Sequence, residues 1–220
     1  MKITNRISGV LLGGMVLLAG GAQADVVFNI TGSNNCYPFS CTPQNYQQVY
    51  DASGFTTGAV DISGLRFKVA QDGTGFAFAP RPVGVTIDLS TTAITPSNIT
   101  GDFAANRGAD DRVVFSGIAT LSSSGGNVFD ILLPFTSSFR FDPHAGNLLV
   151  GLNVTSGTAL TQFEAGYSPL VGRNFFGISQ GNYGLATQFV TSAVPEPESY
   201  AMMFAGLVGL GLVARRKAKA

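Results

Sequence analysis

Apolar side chains return at every second position through the middle of this chain, and that period dictates sheet rather than helix. Val83, Val85, Ile87 and Leu89 share one strand face, and Leu148, Val150, Leu152 and Val154 repeat the pattern, because successive strand side chains point to opposite faces. The longest run, Phe129, Ile131, Leu133, Phe135, Phe139 and Phe141, keeps one parity with only Ser137 interrupting it. Pro134 inside it cannot donate to a ladder, which predicts an edge strand or a bend. In Val60, Ile62, Leu65, Phe67 and Val69 the parity slips by one at Ser63-Gly64, as a bulge or tight turn would make it. Asp72-Gly73, Gly125-Gly126 and His144-Ala145-Gly146-Asn147 supply turns between the runs. Only Asn45 to Ala52, through Tyr46, Val49 and Tyr50, hints at a helical turn. About ten strands with no sustained helical pattern predict an all-β, antiparallel β-sandwich of jelly-roll type.

Charge separates this body from its ends. Lys2, Arg6, Arg215, Arg216, Lys217 and Lys219 lie in the terminal segments, leaving residues 25–193 with seven basic and eleven acidic groups, a net of −4. That balance argues against a nucleic-acid partner. With 12% charged residues and 28 glycines the chain is neither a disordered acidic polymer nor a charged helical bundle. Residues 25–193 are expected to form one domain, large enough to bury roughly 70% of its unfolded surface.

Lys2 and Arg6 precede an apolar run from Ile7 to Ala19, which leads to the small-residue triplet Ala22-Gln23-Ala24. These are the parts of a secretory signal peptide, residues 1–24, passed through the Sec machinery and cut by signal peptidase between Ala24 and Asp25. At the other end Tyr200 to Ala214 is apolar throughout, followed by Arg215-Arg216-Lys217. As a helix this stretch reaches only ~22 Å against a hydrocarbon core of ~30 Å. Snorkelling Arg215 and Arg216, and Tyr200 at the opposite interface, would make up the deficit of a single transmembrane helix. The cation cluster places the tail in the cytoplasm and the body outside.

Just before that span stands Val194-Pro195-Glu196-Pro197-Glu198, stiff and extended because its two prolines fix φ and remove two donors. This triplet, a short apolar helix and an Arg-Arg stop together resemble the PEP-CTERM sorting signal of bacterial exported proteins, over residues 194–217 of a terminal segment 194–220. The resemblance implies a membrane-embedded exosortase as partner, recognising Pro195, Glu196 and Pro197. It also implies a transient inner-membrane anchor halted by Arg215 and Arg216, then delivery to the cell surface or extracellular matrix. Through that family's link to exopolysaccharide, it adds a polysaccharide as a further partner. Asp142-Pro143-His144-Ala145-Gly146-Asn147-Leu148-Leu149 looks like a hairpin seen in β-rich exported proteins with this tail.

The chemistry-bearing residues give no catalytic set. Cys36 and Cys41 flank Tyr37-Pro38-Phe39-Ser40, and in an exported chain so close a pair is expected to form a disulfide. Two thiolates and the single His144 fall short of a tetrahedral metal site, and no metal or cofactor is expected. Gly177-Ile178-Ser179-Gln180-Gly181 matches the nucleophile elbow, but a strand follows it and the histidine precedes it, which favours a strand-end turn. Asp102, Asp110, Asp111, Asp142 and Glu164 are the carboxylates a glycosidase would draw on, and the Asp102 to Arg112 loop is polar enough for calcium yet lacks a recognised calcium-loop spacing. Asn29, Asn98 and Asn153 open glycosylation sequons. With no Trp in the chain, Tyr37, Tyr46, Tyr50, Tyr167 and Tyr183 are the candidate sugar-stacking rings. The expectation is a non-enzymatic, structural or adhesive envelope protein, with a secreted carboxylate-dependent glycoside hydrolase as the competing reading.

Overall fold

The structure, a computed structural model, describes residues 25–41, 44–56, 58–194, 204, 206–208 and 215. The signal segment through Ala24, the triplet Pro195, Glu196 and Pro197, and Arg216 lie outside the described residues. Phe204, residues 206–208 and Arg215 are helical and exposed. Among the described residues no helix is long and apolar enough to cross a membrane.

The regular secondary structure of the described chain is almost entirely strand. In order these are β1 (Val26–Phe28), β2 (Ser33–Asn35), β3 (Asn45–Tyr50), β4 (Val60–Phe67), β5 (Phe78–Thr92), β6 (Arg112–Ser123) and β7 (Ile131–Phe141). Then follow β8 (Asn147–Ser156), β9 (Phe163–Tyr167), β10 (Val171–Phe175), β11 (Ile178–Gln180), β12 (Tyr183–Leu185) and β13 (Thr187–Ala193). They form three antiparallel sheets, ordered β1-β13-β4-β7, β11-β10-β3-β8-β5-β6 and β12-β9-β2.

Aromatic rings join the first two sheets. Tyr50 of β3 meets Phe28 of β1 at 5.0 Å and Phe189 of β13 at 4.8 Å, both edge to face. Its hydroxyl also shares a 2.8 Å hydrogen bond with Thr187. The apolar parities read from β5 and β8 face this core: Val83, Val85, Ile87, Leu89, Leu148, Val150, Leu152 and Val154 are all buried. The parity slip in β4 is a bulge, since its register on β7 shifts between Ile62 and Gly64 and its register on β13 shifts at the same level. Pro134 sits opposite Gly64 on β7, an edge strand of its sheet, where a missing donor breaks no outer ladder.

The helical turn expected at Asn45 to Ala52 is instead the central strand β3, followed by a single 3-10 turn at Ala52–Gly54. Apolar spacing misleads there because both faces of β3 are covered. Tyr46 and Tyr50 enter the main core, Val49 enters a second cluster with Leu149 and Ile99, and buried Gln47 and Gln48 are paired with other parts of the chain.

Cys36 and Cys41 are disulfide-bonded, with Cα atoms 5.3 Å apart. The loop between them drives Phe39 fully into the core against Phe67 and Phe163. Tyr37 stacks on Phe175 outside it.

Candidate functional site

Both ends of the body meet at one place. β1 runs antiparallel to β13, with Val26 opposite Phe189 and Phe28 opposite Thr187, so Asp25 lies beside the last residues of the final strand. Its carboxylate accepts from Arg66 at 2.8 Å, from the Gln188 side chain at 3.0 Å and from the Thr191 amide at 3.3 Å. The expected start of the mature chain is thus clamped to β4 and to β13, a few residues before the sorting segment leaves the sheet.

A second feature lies on the outer face of the six-stranded sheet. Residues of like parity form cross-strand rows there: Asn45, Asn153, Thr86 and Ser116 in one, and Asn174, Gln47, Gly151, Asp88 and Val113 in the next. The chain between β5 and β6 folds back over the second row. Gln47 donates to the Phe103 carbonyl at 2.9 Å and accepts from buried Asn106 at 3.0 Å. Asn174 donates to the Gly101 carbonyl, and the Gly108 amide donates to Ser90. Ile94 and Ile99 of this flap pack on Val49 and Leu149. The flap stops short of the first row, leaving a cleft of about 380 Å³ walled by Phe103, Arg107 and Asp111.

Asp88 anchors that wall. Its cross-strand partner is Gly151, where any Cβ would stand 2.3 Å from the Asp88 carboxylate, so glycine makes the room that the carboxylate fills. Arg107 reaches Asp88 at 3.3 Å and Asp111 at 3.3 Å, a cation shared by two acids. Burial, then the adjacent Asp88 charge, raises the Asp111 carboxyl above the usual carboxylate range against the opposing pull of Arg107.

The other expected carboxylates serve the frame. Asp102 accepts from the Ala104 amide, Asp110 from the Thr91 amide and Asp142 from the His144 amide, each closing a turn or loop. Glu164 is buried and accepts from the Gly32 and Gln71 amides. Of the five, only Asp111 lines the cleft, and its partner Asp88 was not singled out from the sequence. Asp88 sits in an alternating apolar strand at an outward position, where an acid reads as solvated. The signal that could have marked it is Gly151, a glycine inside a strong strand, which announces close approach by another group.

Ser179 lies on β11 opposite Asn174, with no helix after it, so the elbow pattern is a hairpin strand. Tyr46, Tyr50 and Tyr183 are buried and are withdrawn as stacking rings, Tyr37 is half-buried, and Tyr167 is 76% exposed. Among the described residues no three His, Cys, Asp or Glu side chains group as metal ligands.

Comparison with known families bears on the end of the body. The family model of the PEP-CTERM protein-sorting motif matches residues 193–217, beginning at the last residue of β13. The chain carries a PEP-CTERM sorting motif. That motif marks an exported protein, anchored transiently in the membrane and processed by an exosortase. No curated protein matches the chain.

Proposed function

We propose that this PEP-CTERM protein is a non-enzymatic, jelly-roll-like β-sandwich of the cell envelope or extracellular matrix, with a structural or adhesive role on polysaccharide. In this reading the Sec machinery exports the chain and signal peptidase cuts between Ala24 and Asp25. The segment 194–220 then holds the body outside the inner membrane until the exosortase acts at Pro195, Glu196 and Pro197. Arg215 and Arg216 form the cytoplasmic stop.

The observation that supports the sorted, tethered part of this reading is the sorting motif at residues 193–217, which takes over where β13, the partner of β1, ends. In this reading the body is tethered by one end, and the two expected cuts fall just before β1 and soon after β13.

Intact-mass measurement of chains from the cell surface and the culture fluid tests it. Chains beginning at Asp25 and ending near Pro197 are expected, and full-length chains in both fractions would contradict the reading.

The competing hydrolase reading draws on Asp111 beside Asp88. Its geometry is unfavourable, because Arg107 engages both carboxyls at 3.3 Å, whereas a glycosidase needs its two acids free to act on opposite sides of the scissile bond. Turnover of chromogenic glycosides that disappears in Asp88→Asn and Asp111→Asn would nevertheless restore it.

A further inference from the structure

The row Asn45, Asn153 and Thr86 forms the floor of the outer cleft, open between the flap and β6. Asn45 and Asn153 are exposed cross-strand neighbours, and among the described residues their side-chain amides bond to no other group of the chain. Each offers two donors and an acceptor. Thr86 adds a hydroxyl held by Ser116 at 3.0 Å. The wall supplies the half-buried ring of Phe103, together with one guanidinium and two carboxyls in a mutually bonded cluster.

We infer that this cleft is a binding site for a neutral polyhydroxylated chain, a glycan without carboxylate or sulfate groups. Hydroxyls both donate and accept, and free amides answer both functions side by side. The wall sets two carboxyls against the single Arg107 guanidinium, in a body of net −4, a balance unfavourable to an acidic polymer. An extended peptide is the poorer fit. The cleft lies on a sheet face whose backbone groups are already paired within the ladders, so it offers no strand edge to a peptide backbone. The volume is within the roughly 300–1,000 Å³ of small-ligand pockets, which suits a short stretch of a longer chain. Asp88 and Asp111 act here as hydrogen-bond acceptors, and no bond of the glycan is broken.

The inference rests on the polysaccharide part of the proposed function and names its site. The test uses the full chain in a zwitterionic detergent without a sugar headgroup, titrated calorimetrically with cellopentaose, laminaripentaose, maltopentaose and an acidic hexuronate pentamer. At least one neutral pentasaccharide is expected to bind, and the exposed double substitution Asn45→Ala, Asn153→Ala to weaken it about tenfold or more at an unchanged melting temperature. Binding that survives the double substitution, preference for the hexuronate, or no binding of any neutral pentasaccharide each overturns the inference. Retention of the secreted chain in the matrix is scored separately for wild type and double variant. Undiminished retention of the variant would leave the polysaccharide reading standing and remove this cleft from it, and the masses of the processed chains report on sorting independently of both.

Discussion

The surroundings of Asp111 disfavour its ionised form. Partial burial, then the Asp88 charge, holds its carboxyl above the ordinary range, and Arg107 opposes them without prevailing. The folded chain therefore binds this proton more tightly than the unfolded chain. The stability so gained is complete below the unfolded value and drains away as pH climbs from there through the folded one. Asp111→Asn removes the strained charge, so it is expected to melt higher than wild type at pH 7, with the difference closing near pH 3. Thermal melts of the two chains across that range check the sign, and a variant that melts lower at pH 7 refutes it. Taking the difference isolates Asp111 from Asp130. There burial opposes, but hydrogen bonds from Ser124 and Ser123 hold the carboxyl low, so its contribution is present at neutral pH and is lost on acidification. The sequence could offer Asp111 as one acid among five in polar loops. It could not pair it with Asp88, because nineteen and more residues separate the flap's Arg107 and Asp111 from that strand position and only the fold-back of the flap joins them.

At the scale of elements, legibility follows burial. β5 and β8 are covered on the core face along their length, so alternation betrays them at once. β3 lies between β10 and β8 with both faces covered, and its buried Gln47 and Gln48 are matched by flap and β12 partners distant in the chain, which no local period records. The bulge in β4 was legible because it inverts the parity of everything after it. The disulfide loop shows a short covalent element doing long-range packing. Cys36 and Cys41 close a turn in which the Ser40 and Cys41 amides both donate to the Cys36 carbonyl, and the closed turn holds Phe39 against Phe67 and Phe163. Replacing both cysteines by serine frees so short a loop in the unfolded chain, and is expected to lower stability by about 2 kcal/mol on the loop-entropy model. Denaturant melts of oxidised wild type and the double variant measure this. A midpoint equal to wild type would show that Phe39 is seated by packing alone.

For the whole molecule, the decisive arrangement is that the strand after the expected signal cut and the strand before the sorting motif share one sheet. β1 is a three-residue edge strand, too short to persist on its own ladder bonds. It is kept in register by Phe28, whose ring meets Tyr50, Phe55 and Phe189, and by Asp25 at its outer tip. Arg66, Gln188 and the Thr191 amide all converge on that one carboxylate, from β4 and from the end of β13. Asp25 therefore ties the strand that follows the expected signal cut to the strand that precedes the sorting motif. Asp25→Ala is expected to cost only about 1 kcal/mol of global stability, since the pair with Arg66 is partly solvated. Its effect should concentrate locally, as faster hydrogen exchange at Val26 to Phe28 and at Thr191, with the amides of β5 and β8 unchanged. Arg66→Ala should reproduce the pattern more weakly, because Gln188 and Thr191 still hold the carboxylate. Exchange that rises uniformly over all three sheets would instead mean that this corner nucleates the fold. No rise at either strand would mean that the two ends of the body are held together by Phe28 alone.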